Sequence, residues 1–321
     1  MRTSDYMMPK QVAIVANRAT MMIDLLWQWV QAWFREPPRV LLDGLQLAEG
    51  PRWRNGRLVF SDMHAGEVVA LKLDGSRQTL AKLPDGCHCS GLGFLADGSI
   101  LVVSMQERSV LRLSAATGQL QLWADLSALP GTYMCNDMLV DDRGRAYIGN
   151  YGWDIHDTSL EPRSTTLALA TASAPPRAVA EDVLFPNGMV VLEQPCGARV
   201  LIVAETWGLR LTAFDIADDG SLSNRRVWAT LLFPPDGLCA DAEGCIWVAN
   251  PMKPGFAARV GEGGKIHRII RSDRKVLAVA LGGPDGKTLF LCECDEVDPK
   301  LTRPGNSRVR AVQVPVGAAV R

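Results

Sequence analysis

Several things are missing from this 321-residue sequence, and each absence removes a class of function. Charge of one sign is missing: 34 Lys and Arg stand against 35 Asp and Glu, a formal net charge of -1. Net electrostatics therefore draws neither nucleic acid nor an anionic membrane, and no nucleic-acid partner is expected. A membrane span is missing too. The apolar stretch Met21 to Phe34 is short for one and is interrupted by Asp24, Gln28 and Gln31. No small-residue cleavage site follows it, so export is not expected and the sequence reads as cytoplasmic. G-x-S-x-G is absent, which removes the nucleophile-elbow serine. So is a G-x-G-x-x-G behind a strand, which removes the dinucleotide fingerprint.

Cysteine is present, with eight residues, but not as a disulfide or zinc framework. Cys87-His88-Cys89 and Cys292-Glu293-Cys294 have C-x-C spacing, whereas zinc sites want wider pairs and four ligands. Buried or incidental thiols are the plainer reading.

What is there is a repeat. A small or polar residue is followed by a few apolar residues, a turn of Asp or Asn with Gly, and an apolar run. Glu49-Gly50 leads through Asn55-Gly56 to RLVFSD, Ser90-Gly91 through Asp97-Gly98 to SILVVS, and Asn136-Asp137 through Arg143-Gly144 to RAYIGN. Asn187-Gly188 leads to RVLIVAE and Asp236-Gly237 through Glu243-Gly244 to CIWVAN. A weaker sixth unit runs from Leu277 to Gly283, then Asp285-Gly286 and KTLFLCE. The steps are about 41, 46, 51, 49 and 42 residues, the period of four-stranded propeller blades. The D-G and D-x-x-G turns join antiparallel strands because Asp and Gly tolerate positive φ. The expected fold is all-β, a six-bladed β-propeller over residues 37–321, since a sandwich or barrel would not explain the period. Closure by strands from both ends would pair Arg39 to Leu42 with Arg308 to Val314 in the last blade.

Residues 1–36 lie outside the repeat. Leu, Trp, Val and Phe at spacings of three and four from Met21 to Phe34 predict an amphipathic helix, stopped by Pro37-Pro38. It is expected to pack on the propeller's outside or to form a loose extension; partner binding, including contact in a homo-oligomer, and a membrane-surface role are the alternatives.

The residue opening the first strand of each unit should lie at one end of the central channel. Those residues are Glu49, Ser90, Asn136, Asn187, Asp236 and, in the sixth unit, one near Leu277 or Ala278. Carboxylate and amide oxygens converging on one axis suit a hard divalent cation. Asn-Gly and Asp-Gly are also the commonest turn dipeptides. It is their coincidence at one register that separates a site from a set of turns.

At these residues the sequence resembles the gluconolactonase, senescence marker protein and luciferin-regenerating enzyme family. AEGPRWRNGRLVFSD, CNDMLVDDRGRAYIGN, FPNGMVV, FPPDGLCADAEGCIWVAN and VALGGPDGKTLFL carry the resemblance, over about residues 45 to 295. It implies one axial metal on Glu49, Asn187 and Asp236, with calcium expected first and Mg²⁺, Mn²⁺ or Zn²⁺ as alternatives. It also implies that Asn136 sits beside the metal against substrate, and that Asp236 is the general base or, alternatively, a nucleophile. Sugar-lactone members usually carry R-x-N-D-G where this chain has Met134-Cys135-Asn136-Asp137-Met138. Loss of the Arg predicts a pocket for a lactone or ester less polar than gluconolactone, lined by Met134, Asn136, Asp137 and Met138. Ser90 and, two residues before it on the same strand face, His88 are expected at the channel mouth. Tyr151, Trp153 and Trp207 are candidates to wall the pocket, while His64, His156 and His267 read as solvated. The competing functions are an organophosphate or aryl-ester hydrolase on the same site, a metal-free synthase-like propeller, and a non-catalytic propeller that binds a protein or small ligand.

Overall fold

Each turn signal of the repeat closes a hairpin. Asn55 and Gly56 both take positive φ, 51° and 75°, and join the strand Ala48–Arg54 to Arg57–Asp62. In the D-x-x-G and D-G turns, Asp97, Asp141, Asp241 and Asp285 each accept the backbone N–H two residues on, at 2.9–3.0 Å. The computed structural model describes residues 8–319 except 158 and 195, without the side chains of residues 8–17 and 34.

These hairpins extend into six four-stranded antiparallel sheets. The inner strands are Ala48–Arg54, Cys89–Phe94, Cys135–Val140, Pro186–Glu193, Leu238–Ala240 and Lys275–Gly282. The molecule is a six-bladed β-propeller. Blade six takes its outer strand from the other end of the chain: Arg39–Leu45 pairs with Ser307–Gln313, with Arg39 opposite Ala311. The ends expected to share the last blade do share it, and no sheet edge is left at the seam.

The core lies between the blades. Six buried apolar clusters join neighbouring sheets, such as Ile202 and Leu211 of blade four with Ile246 and Val248 of blade five, and the one around Met138 also takes in Leu277 and Cys294 of blade six. Each blade's second strand has a buried polar residue at or next to its end: Asp62, Ser104, Asn150, Glu205, Asn250 and Glu293. Most of these fasten loops or arginines. Asp62 accepts from Gln46 and Leu47 N–H, Glu205 from Arg210 and Arg225, and Glu293 from Arg308 and Arg310. The charged ends of the motif are thus structural.

The N-terminal helix spans Met8–Gln31, starting earlier than its apolar pattern at Met21, and a 3-10 turn Ala32–Phe34 ends it before Pro37. It lies along Ile266–Ser272, the outer strand of blade five. Among the described residues the rest of the chain has only two further helical turns, Met63–Ala65 and Glu262–Gly264. No described helix is long and apolar enough to cross a membrane. All eight cysteines are free thiols.

Candidate metal centre and its mouth

At one end of the channel, five of the inner strands are bulged, with register breaks at Glu49/Arg52, Cys89/Leu92, Cys135/Met138, Pro186/Met189 and Val276/Ala278. A bulge re-aims the side chain beside it, and the residues at these breaks are the ones the repeat singled out. Glu49, Ser90, Asn136, Asn187 and Asp236 are all buried, and the sixth position is filled by buried Leu277. The glycines that follow have a separate cause. A Cβ on Gly188 would lie 2.5–2.7 Å from the Asp236–Leu238 backbone, and one on Gly237 2.6 Å from Ala278. Neighbouring inner strands touch backbone to backbone here, which draws the register residues together.

Hydrogen bonds orient the set. The Asn187 amide donates to Thr206 Oγ1 at 3.3 Å, leaving its oxygen for the axis, and the Thr206 hydroxyl donates to the Pro235 carbonyl at 2.9 Å. The Ser90 hydroxyl donates to Asn136 Oδ1 at 3.3 Å, and Glu49 accepts from Gly50 N–H at 2.7 Å. Arg52 crosses from blade one to blade three, donating to the Met138 carbonyl at 2.7 Å and pairing with Asp137 at 3.5 Å.

Burial and like charge set the electrostatics of the two carboxylates. Burial, then Asp137, pushes the Glu49 carboxyl up to about 8, against the Gly50 N–H and Arg52. Asp236 is pushed well above the carboxylate range by burial, then by Glu49 and Asp137, with the Asn187 amide opposing. Tyr151 is raised by burial, then by Glu49 and Asp236. Two buried carboxylates and an amide oxygen make a hard donor set, which suits a divalent cation. Histidine and cysteine do not enter it: among the described residues no site of three or more His, Cys, Asp or Glu ligands occurs.

The mouth is apolar on one side. Tyr151, Trp153 and Phe185 are buried against one another, with Tyr151 and Phe185 edge to face at 4.8 Å. Trp207 stands 6.3 Å from Trp153 at the rim and is exposed. Met134 packs half-buried on the same cluster, as do Ile155 and Val297, from the long loops of blades three and six. Those blades are opposite one another, so their loops meet above the site. Met138, expected against substrate, has no exposed surface and packs between blades two and three with Leu101 and Ile148.

Two of the four histidines depart from expectation, His88 and His64, while His156 and His267 are exposed as expected. His88 precedes the strand Cys89–Phe94 instead of sharing a face with Ser90, and its ring lies 4.8 Å from that of His64. His64 is half-buried, its Nδ1 2.8 Å from Thr302 Oγ1, and is not a solvated turn residue. His267 is exposed but lies within the strand Ile266–Ser272, and exposed His156 is on the blade-three loop. Sequence reading missed Arg52, Thr206 and Phe185. Only Arg52 left a signal, a charged residue within an inner-strand motif.

Cavities also open away from the axis, one of about 320 Å³ lined by Arg143, Arg145 and Arg199 and one of about 250 Å³ beside Trp33. The three arginines of the first are already paired with Asp218, Asp141 and Asp142. Shifted titrating groups gather on the axis, so the axis is the better site.

The SMP-30/Gluconolactonase/LRE-like region model matches residues 47–294. The chain belongs to this family. It is 28% identical over 259 residues to 6-deoxy-6-sulfogluconolactonase from Pseudomonas putida, covering 78% of this chain and 84% of that one. It is 24% identical over 265 residues to regucalcin from Pongo abelii, covering 68% and 87%. In structure it is similar to a calcium-binding protein, regucalcin, from Agrobacterium tumefaciens, with TM-score 0.70, 23% identity and 88% and 95% of the two chains covered. Luciferin-regenerating enzyme gives 0.73 at 18% identity, covering 88% and 97%. These structural likenesses speak for the fold.

Proposed function

We propose that this SMP-30/gluconolactonase-like propeller is a metal-dependent lactonase for a substrate less polar than gluconolactone. The family and the gluconolactonase names within it support lactone hydrolysis as the class of activity. The observation that carries the reading is the meeting of Glu49, Asn187 and Asp236, all buried, at one end of the channel. These three residues would hold a divalent cation, which would supply Lewis acidity at the substrate carbonyl. Calcium is our first expectation, from the oxygen-only donor set and the calcium-binding relative.

The chain's own groups supply the rest. Asp236 accepts a proton from water as the water oxygen attacks the carbonyl carbon, its carboxylate held by the Asn187 amide. The Asn136 N–H₂ donates to the carbonyl oxygen as charge develops, since its own oxygen is engaged by Ser90. Collapse breaks the ring C–O bond, the alkoxide takes up a proton, and a hydroxy acid leaves. Tyr151, Trp153, Phe185 and Met134 offer the substituent a dry apolar wall, with Met134 where sugar-lactone members carry an Arg.

Elemental analysis of the purified protein, then turnover of sugar lactones, alkyl and aryl lactones, aryl esters and organophosphates with and without chelator, tests the reading. Stoichiometric divalent metal, chelator-sensitive turnover and preference for alkyl or aryl lactones are expected. Asp236→Ala should lower kcat/KM by at least about 10³-fold with the fold retained. Preference for the sugar lactone refutes the pocket, faster aryl-ester or organophosphate turnover replaces the substrate class, and unchanged turnover in Asp236→Ala sinks the mechanism.

A further inference from the structure

The N-terminal helix is apolar on both faces, and the propeller covers only one. Met21 is buried, and Leu25, Trp29 and Ala32 pack on blade five, with Trp29 edge to face on Phe256 at 5.9 Å. On the opposite face Met22, Ile23, Leu26, Trp27 and Val30, continued by Trp33, form one exposed stripe. Ile23, Trp27 and Trp33 are 67%, 61% and 66% exposed. From Met22 to Trp33 the stripe is about 17 Å long at the helical rise.

Its rim is cationic. Arg271 lies over the rings of both Trp29 and Trp33, 4.7 and 3.2 Å from their centroids. Among the described residues Arg35 Nη1, Arg268 Nε and Arg271 Nε are buried without a hydrogen-bond partner. The neighbouring carboxylates, Asp24 and Glu36, leave an excess of positive charge on this flank. Beneath the stripe, Trp33, Arg35 and Arg271 line the cleft of about 250 Å³. Across a two-fold axis a second copy would repeat this cationic rim on the facing patch. A surface that is apolar inside and anionic at its face answers both the stripe and its rim.

We propose that this helix lies in the interface of a membrane carrying anionic phospholipid, with the stripe among the acyl chains and a lipid phosphate against Arg35 and Arg271. Exposed Trp27 and Trp33 suit the headgroup level, where tryptophan is enriched. The propeller replaces the polar face that a free interfacial helix would turn to water. The net charge of the whole chain hides this, because the excess is local.

Co-sedimentation of the full chain with vesicles of phosphatidylcholine, alone or with about one quarter phosphatidylglycerol, tests the proposal. Binding to the anionic vesicles should exceed binding to the neutral ones by about tenfold or more, and added salt should weaken it. Ile23→Ser/Leu26→Ser/Trp27→Ser and Arg35→Gln/Arg271→Gln should each lose it, with circular dichroism and melting showing both folded. Sedimentation equilibrium without lipid covers the other occupant. A dimer that the apolar triple variant dissolves, with no vesicle binding, assigns the stripe to a second copy and overturns the proposal. Equal binding to neutral vesicles overturns the headgroup assignment.

Discussion

Arg52 leaves the inner strand of blade one and ends on the Met138 carbonyl of blade three, beside Asp137. It is a cation in a channel that also holds Glu49, Asp137 and Asp236, and it lowers the proton affinity of Glu49 while burial raises it. Arg52→Met would leave a buried carboxylate and a buried carbonyl without their partner. The expected loss is about 3 kcal/mol, measured by denaturant unfolding. Asp137→Asn in the same background should recover part of it, because the two residues form one interaction unit. Equal losses in the single and double variants would show that Arg52 acts by packing alone. At this scale the sequence was legible where a residue sits in a turn signal. Glu49, Asn187 and Asp236 precede glycine, and their register follows from the repeat. Phe185 was not legible: it precedes Pro186 with φ of 56°, a conformation imposed by packing against Tyr151 and Trp153 and not marked by Gly or Asn. Met138 was misplaced because an apolar residue beside a site and one behind it look alike in one dimension.

The inner strands do two things that a regular strand could not. Bulges in blades one to four turn Glu49, Ser90, Asn136 and Asn187 toward the axis, and Gly188 and Gly237 let the next blade approach to contact. Gly188→Ala tests this coupling, because its Cβ would meet the backbone of Asp236, Gly237 and Leu238. Overpacking at such a seam should cost about 1–3 kcal/mol of stability. It should also lower divalent-cation affinity by calorimetry, since Asn187 and Asp236 are pushed apart together. Loss of stability with unchanged cation affinity would show the seam to be structural only. Short apolar runs and the D-x-x-G and D-G turns between them made the hairpins readable. The bulges themselves were hidden, since one extra residue in a strand changes spacing by less than the repeat itself varies. The N-terminal helix was found but begun too late, because its apolar pattern is strongest where it docks.

At the scale of the whole molecule, long loops from blades three and six roof a site whose proposed ligands come from blades one, four and five. His64 ties part of that roof together, bonding Thr302 of blade six from a turn of blade one. Burial, then His88 and His156, lowers its proton affinity to about 4 from the ordinary 6.5. Between those values the unfolded chain binds more protons, so this contribution to stability is lost as pH falls through the window. The loss should approach about 3 kcal/mol near pH 4, so the stability difference between wild type and His64→Gln, measured by unfolding at each pH, should change by that amount between about pH 6.5 and pH 4. Glu49 works with the opposite sign, its contribution fading as pH rises from 4.5 through about 8, and it cancels in that comparison. The period of the repeat announced six blades and their closure; the roof was unreadable because its loops share no period. Closure has a consequence for biogenesis. The strand Arg39–Leu45 leaves the ribosome early, but its partner Ser307–Gln313 follows roughly 270 residues later, tens of seconds at ordinary elongation rates. Through that interval a strand destined for the last blade waits without its partner, so the ring is sealed only once Ser307–Gln313 has emerged, and until then its unpaired edge is open to other chains.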